Sequence, residues 1–497
     1  MLAIEKRINL IKQIEWGDID GLYDPNLLNY FIDLNYWNGI VEKNIFYIIG
    51  RKGTGKSAIY QWIKARENDT GILVSNLSFK QFPFEKLLSL DDDNYSAPNQ
   101  YQSIWRNIIL SEFARLIVLD QSNSPTAEYH ELKRYVNFYF GNDLIDVHKK
   151  VTEQTTKTQT GLKKIVSILF EDSEQKKIEN NYSNVTIANA RLENIVLSYL
   201  VRNCSNTYLI QFDQLDDNYN QYTNKEAFFN CIISLFKVVY DLNQQLRQKQ
   251  IPSKIIVYLR SDIFYQLHQR DAESARWDDF LFYLNWAIIS RSDWRDPLLL
   301  KLLNKRITSS ISELSSEANP FYYLFDNNIV KLKDFGKYKN VFRYMVDRSF
   351  HRPRDLIQFS KKIQEQVKTQ LTYKEVKSAE RYYSLWLLSE LENEIAYRFP
   401  DIEILYEFLR LFGKSHFSFK DFRDKYKKYI SKIGIDEEEL IHLLYDTGMV
   451  LNLDVRSHPY EFYSIIRNER SRFNRDLQIV LHRGVWSGLS AARFMKR

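Results

Sequence analysis

The sequence predicts an α/β fold with a mostly parallel sheet, and three observations predict it. Residues 44–63 (NIFYIIGRKGTGKSAIYQWI) pass from an apolar, β-rich run through a glycine loop into helical spacing. Further apolar runs of strand length, at 71–78, 207–212 and 254–259, alternate with long amphipathic helical stretches. Charged residues follow the last two runs directly, Asp213 after one and Arg260 after the other. Strands alternating with helices pair in parallel and are covered on both faces. Their ligands sit beyond the carboxyl ends of the strands, where the loop, Asp213 and Arg260 are expected to converge.

Each element has its own signal. Residues 1–40 read as an N-terminal helical segment, with Asp24-Pro25 as a turn and Leu27, Leu28, Tyr30, Phe31 and Leu34 as an apolar side. The core is expected over 41–296: a strand at 45–49, a helix at 58–64, a strand at 71–78 and a helix at 100–119. Residues 121–185 break this rhythm with the polar tract VTEQTTKTQTGLKK and the charged run EDSEQKKIENNYSN, and read as a partly mobile insertion. Helical spacing resumes at 187–201 and 225–246, and residues 286–290 (WAIIS) are read as the last strand. Residues 297–377 form a helical lid. Over 378–497 the order helix, short strand (HFSF), helix, helix, strand, turn, strand predicts a winged-helix domain, followed by a basic helical tail.

Composition narrows the class. A chain of 497 residues with 44% hydrophobic and 15% aromatic content can bury several cores. No apolar stretch approaches the ~20 residues needed to span a bilayer, and charges interrupt the short apolar run at the N-terminus. A cytoplasmic protein without membrane contact is expected. Cys204 and Cys231 read as reduced core residues, and eight histidines show no paired ligand spacing. The formal charge of +6 permits nucleic-acid contact without arguing for it.

The chemistry concentrates in one segment. Gly50-x-x-x-x-Gly55-Lys56-Ser57 is the pattern of a phosphate-binding P-loop. Gly50, Gly53 and Gly55 let the backbone turn tightly with its N–H groups inward, and Arg51, Lys52 and Thr54 complete the cradle. Lys56 is expected on the β- and γ-phosphates of ATP, and the Ser57 hydroxyl on Mg²⁺. Asp213 is the expected second metal-holding residue. Asp217 and Asp216 compete for the role of catalytic base, with capping of the next helix as the alternative. Arg260 would reach the γ-phosphate or pair with Asp262. In His351-Arg352-Pro353-Arg354-Asp355, Pro353 can open a helix that fixes Arg354 as a nucleotide sensor, or Arg354 pairs with Asp355 at the surface.

The segments GRKGTGKSAI (50–59), DQLDD after the 207–212 strand, YLRSDIF (258–264), RPRDLI (352–357) and HRGVW (482–486) occur in one order. In that order they resemble bacterial P-loop ATPases related to the STAND and origin-recognition-type AAA+ groups. The resemblance implies an AAA+-like core, a lid carrying a sensor arginine at Arg354, a winged helix, and often a role in defence against phage or mobile DNA with ATP as a conformational switch. The chain departs from the main AAA+ pattern at Gln214, where a glutamate usually follows the metal-holding aspartate, and it has no identifiable arginine finger.

Three functions compete on these residues. A signalling or defence ATPase would associate with itself or with a protein effector when ATP is bound. A DNA-binding ATPase would load or remodel a partner on DNA through basic surfaces such as Lys420, Arg423, Lys427 and Lys428. That reading is weakened by the presumptive recognition helix at 435–448, which carries Asp436, Glu437, Glu438 and Glu439 and no lysine or arginine. A small-molecule kinase is the weakest, because the chain carries a long lid and a winged helix.

Overall fold

In the computed structural model, residues 4–79, 96–122, 125–140, 184–203, 206–216, 219, 224–290, 292–325, 330, 332–334, 337–413, 415–457 and 460–489 are described. Cys204, Asp217 and residues 141–183 of the expected insertion lie outside them. The chain divides into two compact units: Asp33–Lys52 with Lys56–Leu284, and Met1–Ile32 with Gly53–Gly55 and Asn285–Arg497. Helices α1 (Ile4–Gln13) and α2 (Leu27–Tyr30) belong to the second.

The first unit is α/β. Helix α3 (Tyr36–Val41) leads to β1 (Tyr47–Gly50), α4 (Lys56–Lys64) and β2 (Ile72–Ser78). Helices α5 (Gln102–Leu119), α6 (Ala127–Phe140) and α7 (Asn184–Arg202) come before β3 (Thr207–Asp213). After α8 (Lys225–Gln248), β4 (Lys254–Arg260) and α9 (Ser261–Arg270), the unit ends on β5 (Leu281–Tyr283). All five strands run parallel in the order β2-β3-β4-β1-β5.

Both sheet faces are covered, which is why β1 and β4 read as unbroken apolar runs. On one face Tyr47 stacks on Phe236 of α8, ring centroids 4.5 Å apart. On the other, Tyr60 of α4 meets Tyr258 edge-on. Beneath α4 the Tyr258 hydroxyl donates to Gln211 Oε1 (2.6 Å), and Gln211 Nε2 donates to Asn76 Oδ1 (2.8 Å). This row satisfies polar groups that would otherwise be costly to bury.

Two expectations for this unit are corrected. The fifth strand is 281–283, not 286–290: Tyr47, Ile48 and Ile49 pair with Leu281, Phe282 and Tyr283. The run at 286–290 is instead irregular, the Trp286 indole donating to the Thr54 carbonyl and the Ile288 N–H to His351 Nδ1. Part of the expected insertion is core: Leu132, Tyr135 and Val136 of α6 are fully buried, one helical face sealed into the main cluster.

The second unit is mainly helical. Helices α10 (Leu298–Ser310), α11 (Pro320–Leu324) and α12 (Val341–Val346) precede α13 (Pro353–Gln366) and α14 (Tyr373–Ile395), with the β6 (Leu332–Asp334) and β7 (Lys337–Lys339) hairpin between α11 and α12. Helix α14 runs unbroken through residue 377. The N-terminal segment is stitched in here: Gln364 Nε2 donates to the Ile11 and Ile14 carbonyls (2.8 Å each), and Arg306 donates to the Trp16 carbonyl.

Helices α15 (Ile402–Arg410), α16 (Phe419–Tyr426), α17 (Ile430–Ile433) and α18 (Glu437–Asp446) then lead to β8 (Val450–Asp454), β9 (Glu461–Tyr463) and β10 (Gln478–Leu481). The sheet order is β10-β8-β9, all antiparallel. The expected HFSF strand contributes a single bridge, Phe417 to Ile479. The helical tail expected after the hairpin is corrected over its described part. Residues 478–481 supply β10 because buried Ile479 and Leu481 need a partner strand, and only the short α19 (Arg483–Trp486) follows. No described helix is long and apolar enough to cross a membrane.

Candidate functional site

Parallel pairing brings the carboxyl ends of β1 and β4 level, Gly50 beside Arg260, and those of β2 and β3 level, Ser78 beside Asp213. The chain leaves β1 towards β2 but leaves β4 towards β5, and adjacent strands with opposite connections open a crevice at this edge. The loop following β1 turns through positive φ at Gly53 (+81°) and Gly55 (+100°). A Cβ at Gly55 would meet no atom within 4 Å, so backbone conformation rather than space demands glycine there.

Lys56 opens α4 and donates to the carbonyls of Gly50 (2.8 Å) and Arg51 (3.2 Å). Burial lowers its pKa, while the Asp216 and Asp213 carboxylates pull it back up. Burial pushes Asp213 up to about 6, against the Gln214 N–H, the Lys56 ammonium and a hydrogen bond with Ser57. Its Oδ2 is buried with no hydrogen-bond partner, an arrangement that costs free energy unless a cation completes it. Among the described residues no group of three His, Cys, Asp or Glu could hold a metal.

Arg260 is held by carboxylates. Its Nε and Nη2 donate to Asp262 Oδ1 (3.0 Å) and Oδ2 (2.6 Å), and Asp216 Oδ2 lies 3.7 Å from Nε. Asp216 thus joins the cluster. Sequence reasoning passed over Ser78, whose hydroxyl donates to Gln214 Oε1, with Gln214 itself at φ +60°. The sequence carried no signal for it, because the register that sets Ser78 beside Asp213 exists only once β2 and β3 pair.

Arg354 lies in the second unit, at the start of α13, whose first residue is Pro353. Its guanidinium pairs with Glu390 (Nη1–Oε2 3.0 Å), and its N–H approaches the carbonyl of Gly53, a residue of the same unit, at 3.4 Å. The alternative pairing with Asp355 is corrected: Asp355 is fully buried and forks onto Arg352 (Nη2–Oδ1 2.7 Å), because two buried charges must satisfy one another.

At the C-terminal end, Lys420, Arg423, Lys425, Lys427, Lys428 and Lys432 are exposed. Helix α18 shows Glu438 and Glu439 outward, paired with Arg475 (3.0 Å) and Arg398 (3.0 Å), and the ring of Phe473 sits against His442 and Tyr445.

Two comparisons bear on this geometry. Residues 297–392, from the start of the helical region into α14, match the family described as the FunZ-associated C-terminal helical domain. The chain is also similar to an 80.3 kDa protein of Escherichia coli (strain K12) whose name places it in transposon gamma-delta. The two are 22% identical over 516 aligned residues, covering 97% of this chain and 68% of that protein.

Proposed function

We propose that this chain binds Mg-ATP at the loop 50–57 and uses it as a conformational switch, hydrolysing it slowly. The observation that carries the reading is the buried, unpartnered Oδ2 of Asp213, set beside Ser57 and Lys56 at the carboxyl edge of a parallel sheet. Gly50 through Ser57 would cradle the phosphates, Lys56 exchanging its main-chain carbonyls for phosphate oxygens. Ser57 and Asp213 would hold Mg²⁺, which neutralises charge developing on the phosphates. Asp216 or Asp217 would orient the attacking water. Slow turnover is expected because Gln214, in place of a carboxylate, cannot take up a proton.

The lid and winged-helix assignments and the STAND and AAA+ kinship are parts of this proposal; the winged helix draws on the order of elements after residue 378, the others on the sequence resemblance. So does a role in bacterial defence or signalling, to which the transposon named in the relative lends a mobile-DNA setting. Arg354 would sense the γ-phosphate, releasing Glu390 to do so. ATP but not ADP should then change the small-angle scattering profile or the oligomer mass, and Arg354→Ala should remove the difference. Superimposable ATP and ADP profiles, with and without DNA, would refute the switch.

A second reading is a DNA-binding ATPase that loads or remodels a partner on DNA. It draws on the exposed lysines of α16 and its neighbourhood. The acidic outer face of α18 argues against major-groove reading, since phosphate would repel Glu438 and Glu439.

A further inference from the structure

We propose that Trp286 is a positioning residue for the glycine loop: it fixes one peptide plane at the loop's tip, so that the amides there are turned for a polyphosphate before it binds. This rests on the ATP reading above. Residues Gly53–Gly55 belong to the same compact unit as Asn285–Arg497, not to the unit that holds the rest of the loop. Two main-chain carbonyls at the tip are taken by donors of that unit. The Trp286 indole Nε1–H donates to the Thr54 carbonyl (2.9 Å), and the Arg354 N–H approaches the Gly53 carbonyl (3.4 Å). The approach is close, since a Cβ on Gly53 would lie 3.1 Å from both Cβ and Cδ of Arg354. The two donors are also tied to each other. Two residues past Trp286, the Ile288 N–H donates to His351 Nδ1 (3.1 Å), three residues before Arg354. The Trp286 ring packs against the buried cluster of this unit, which holds it in place.

A peptide unit is planar and trans, so its C=O and the following N–H point in opposite directions. Holding the Thr54 carbonyl on Trp286 therefore turns the Gly55 N–H away from the indole. Holding the Gly53 carbonyl on Arg354 does the same for the Thr54 N–H. Successive N–H groups turned to one side make the concave nest in which an anion sits. The anchor matters because of Gly55. At φ +100° and without a Cβ, it lets the peptide between Thr54 and Gly55 flip at little steric cost. A flipped peptide would offer the phosphates the partial negative charge of a carbonyl in place of a donor. Without the indole, only a fraction of molecules holds both amides correctly, and apparent affinity falls by that fraction. The same two bonds account for the irregular run at 286–290, whose donors serve Thr54 and His351 instead of a neighbouring strand.

The test pairs nucleotide titration with amide hydrogen exchange on the full chain. Trp286→Phe keeps an aromatic ring against the cluster and removes the N–H. It should weaken Mg-ADP and the non-hydrolysable Mg-adenylyl imidodiphosphate by the same factor, roughly fivefold, because the tip amides serve phosphates that both nucleotides share. Without nucleotide, exchange across residues 50–57 should quicken in the variant while α13 and α14 stay as protected as in the wild type. A second pair keeps the test open if Trp286→Phe folds poorly. His351→Asn places an acceptor where Nδ1 stood and tolerates the φ of +53° at this position, so it should restore most of the affinity that His351→Ala loses. If the wild type binds both nucleotides and Trp286→Phe binds them equally well, the positioning role is wrong and the ATP reading stands. A loss confined to the triphosphate analogue would also overturn the role, since that is the pattern of a γ-phosphate contact. If the wild type binds neither nucleotide, the ATP reading falls and the positioning role with it.

Discussion

Asp213→Asn should make the nucleotide-free protein more stable while removing its response to Mg-ATP. The carboxyl is about 3% exposed and its pKa rises from 3.8 to about 6 in the fold. That rise is worth about 3 kcal/mol at 1.36 kcal/mol for each tenfold change in proton affinity. The folded chain binds the proton more tightly than the unfolded chain. Stability is therefore full below pH 3.8 and is lost as pH rises through 6. Above pH 6 the native protein carries a buried carboxylate at a cost that asparagine removes. In EDTA at pH 7.5 the first unit should melt roughly 6–12 °C higher in the variant. The gap should narrow as pH falls from 6 towards 4. Adding Mg-ATP should raise the wild-type midpoint by mass action and leave the variant where it was. A variant less stable than wild type in EDTA at pH 7.5, or one stabilised equally by Mg-ATP, would refute the reasoning.

Three other substitutions probe separate parts of the account. Asp216→Asn and Asp217→Asn, measured side by side for steady-state hydrolysis, should include one variant slowed roughly 100-fold or more with ATP still bound; wild-type rates in both would reduce the pair to a helix cap. Gly484→Ala should cost about 2–3 kcal/mol, because a Cβ there would lie 2.8 Å from Leu387 Cδ2 and closer still to the Arg348 carbonyl; an unchanged melting midpoint for the second unit would contradict the packing around α19.

Strong local signals made the centre of the first unit legible. A strand, glycines that must adopt positive φ and a helix follow one another within twenty residues, and the strands before Asp213 and Arg260 are buried on both faces. Strand 281–283 was missed because it is three residues long and follows a 3-10 turn, whereas 286–290 has the better β composition. The attachment of residues 4–30 was invisible for a different reason. Gln364 and Arg306 bind main-chain carbonyls there, and a carbonyl has no signature in sequence. The tail after 467 looked helical and basic, yet Ile479 and Leu481 alternate into a core that only the tertiary pairing with β8 reveals. At the site, Lys56, Asp213 and Asp216 were legible from type and position. The closure of Arg260 onto Asp262 was open between two outcomes, because an arginine two residues from an aspartate can point towards either partner.

The most direct measurement is calorimetric titration of Mg-ATP into the wild type and into Lys56→Ala, with circular dichroism to confirm that both are folded. Among the described residues Lys56 donates to the Gly50 and Arg51 carbonyls, so alanine should preserve the fold. The account predicts saturable one-to-one binding by the wild type and its loss in the variant. Equal affinity in both proteins would contradict it.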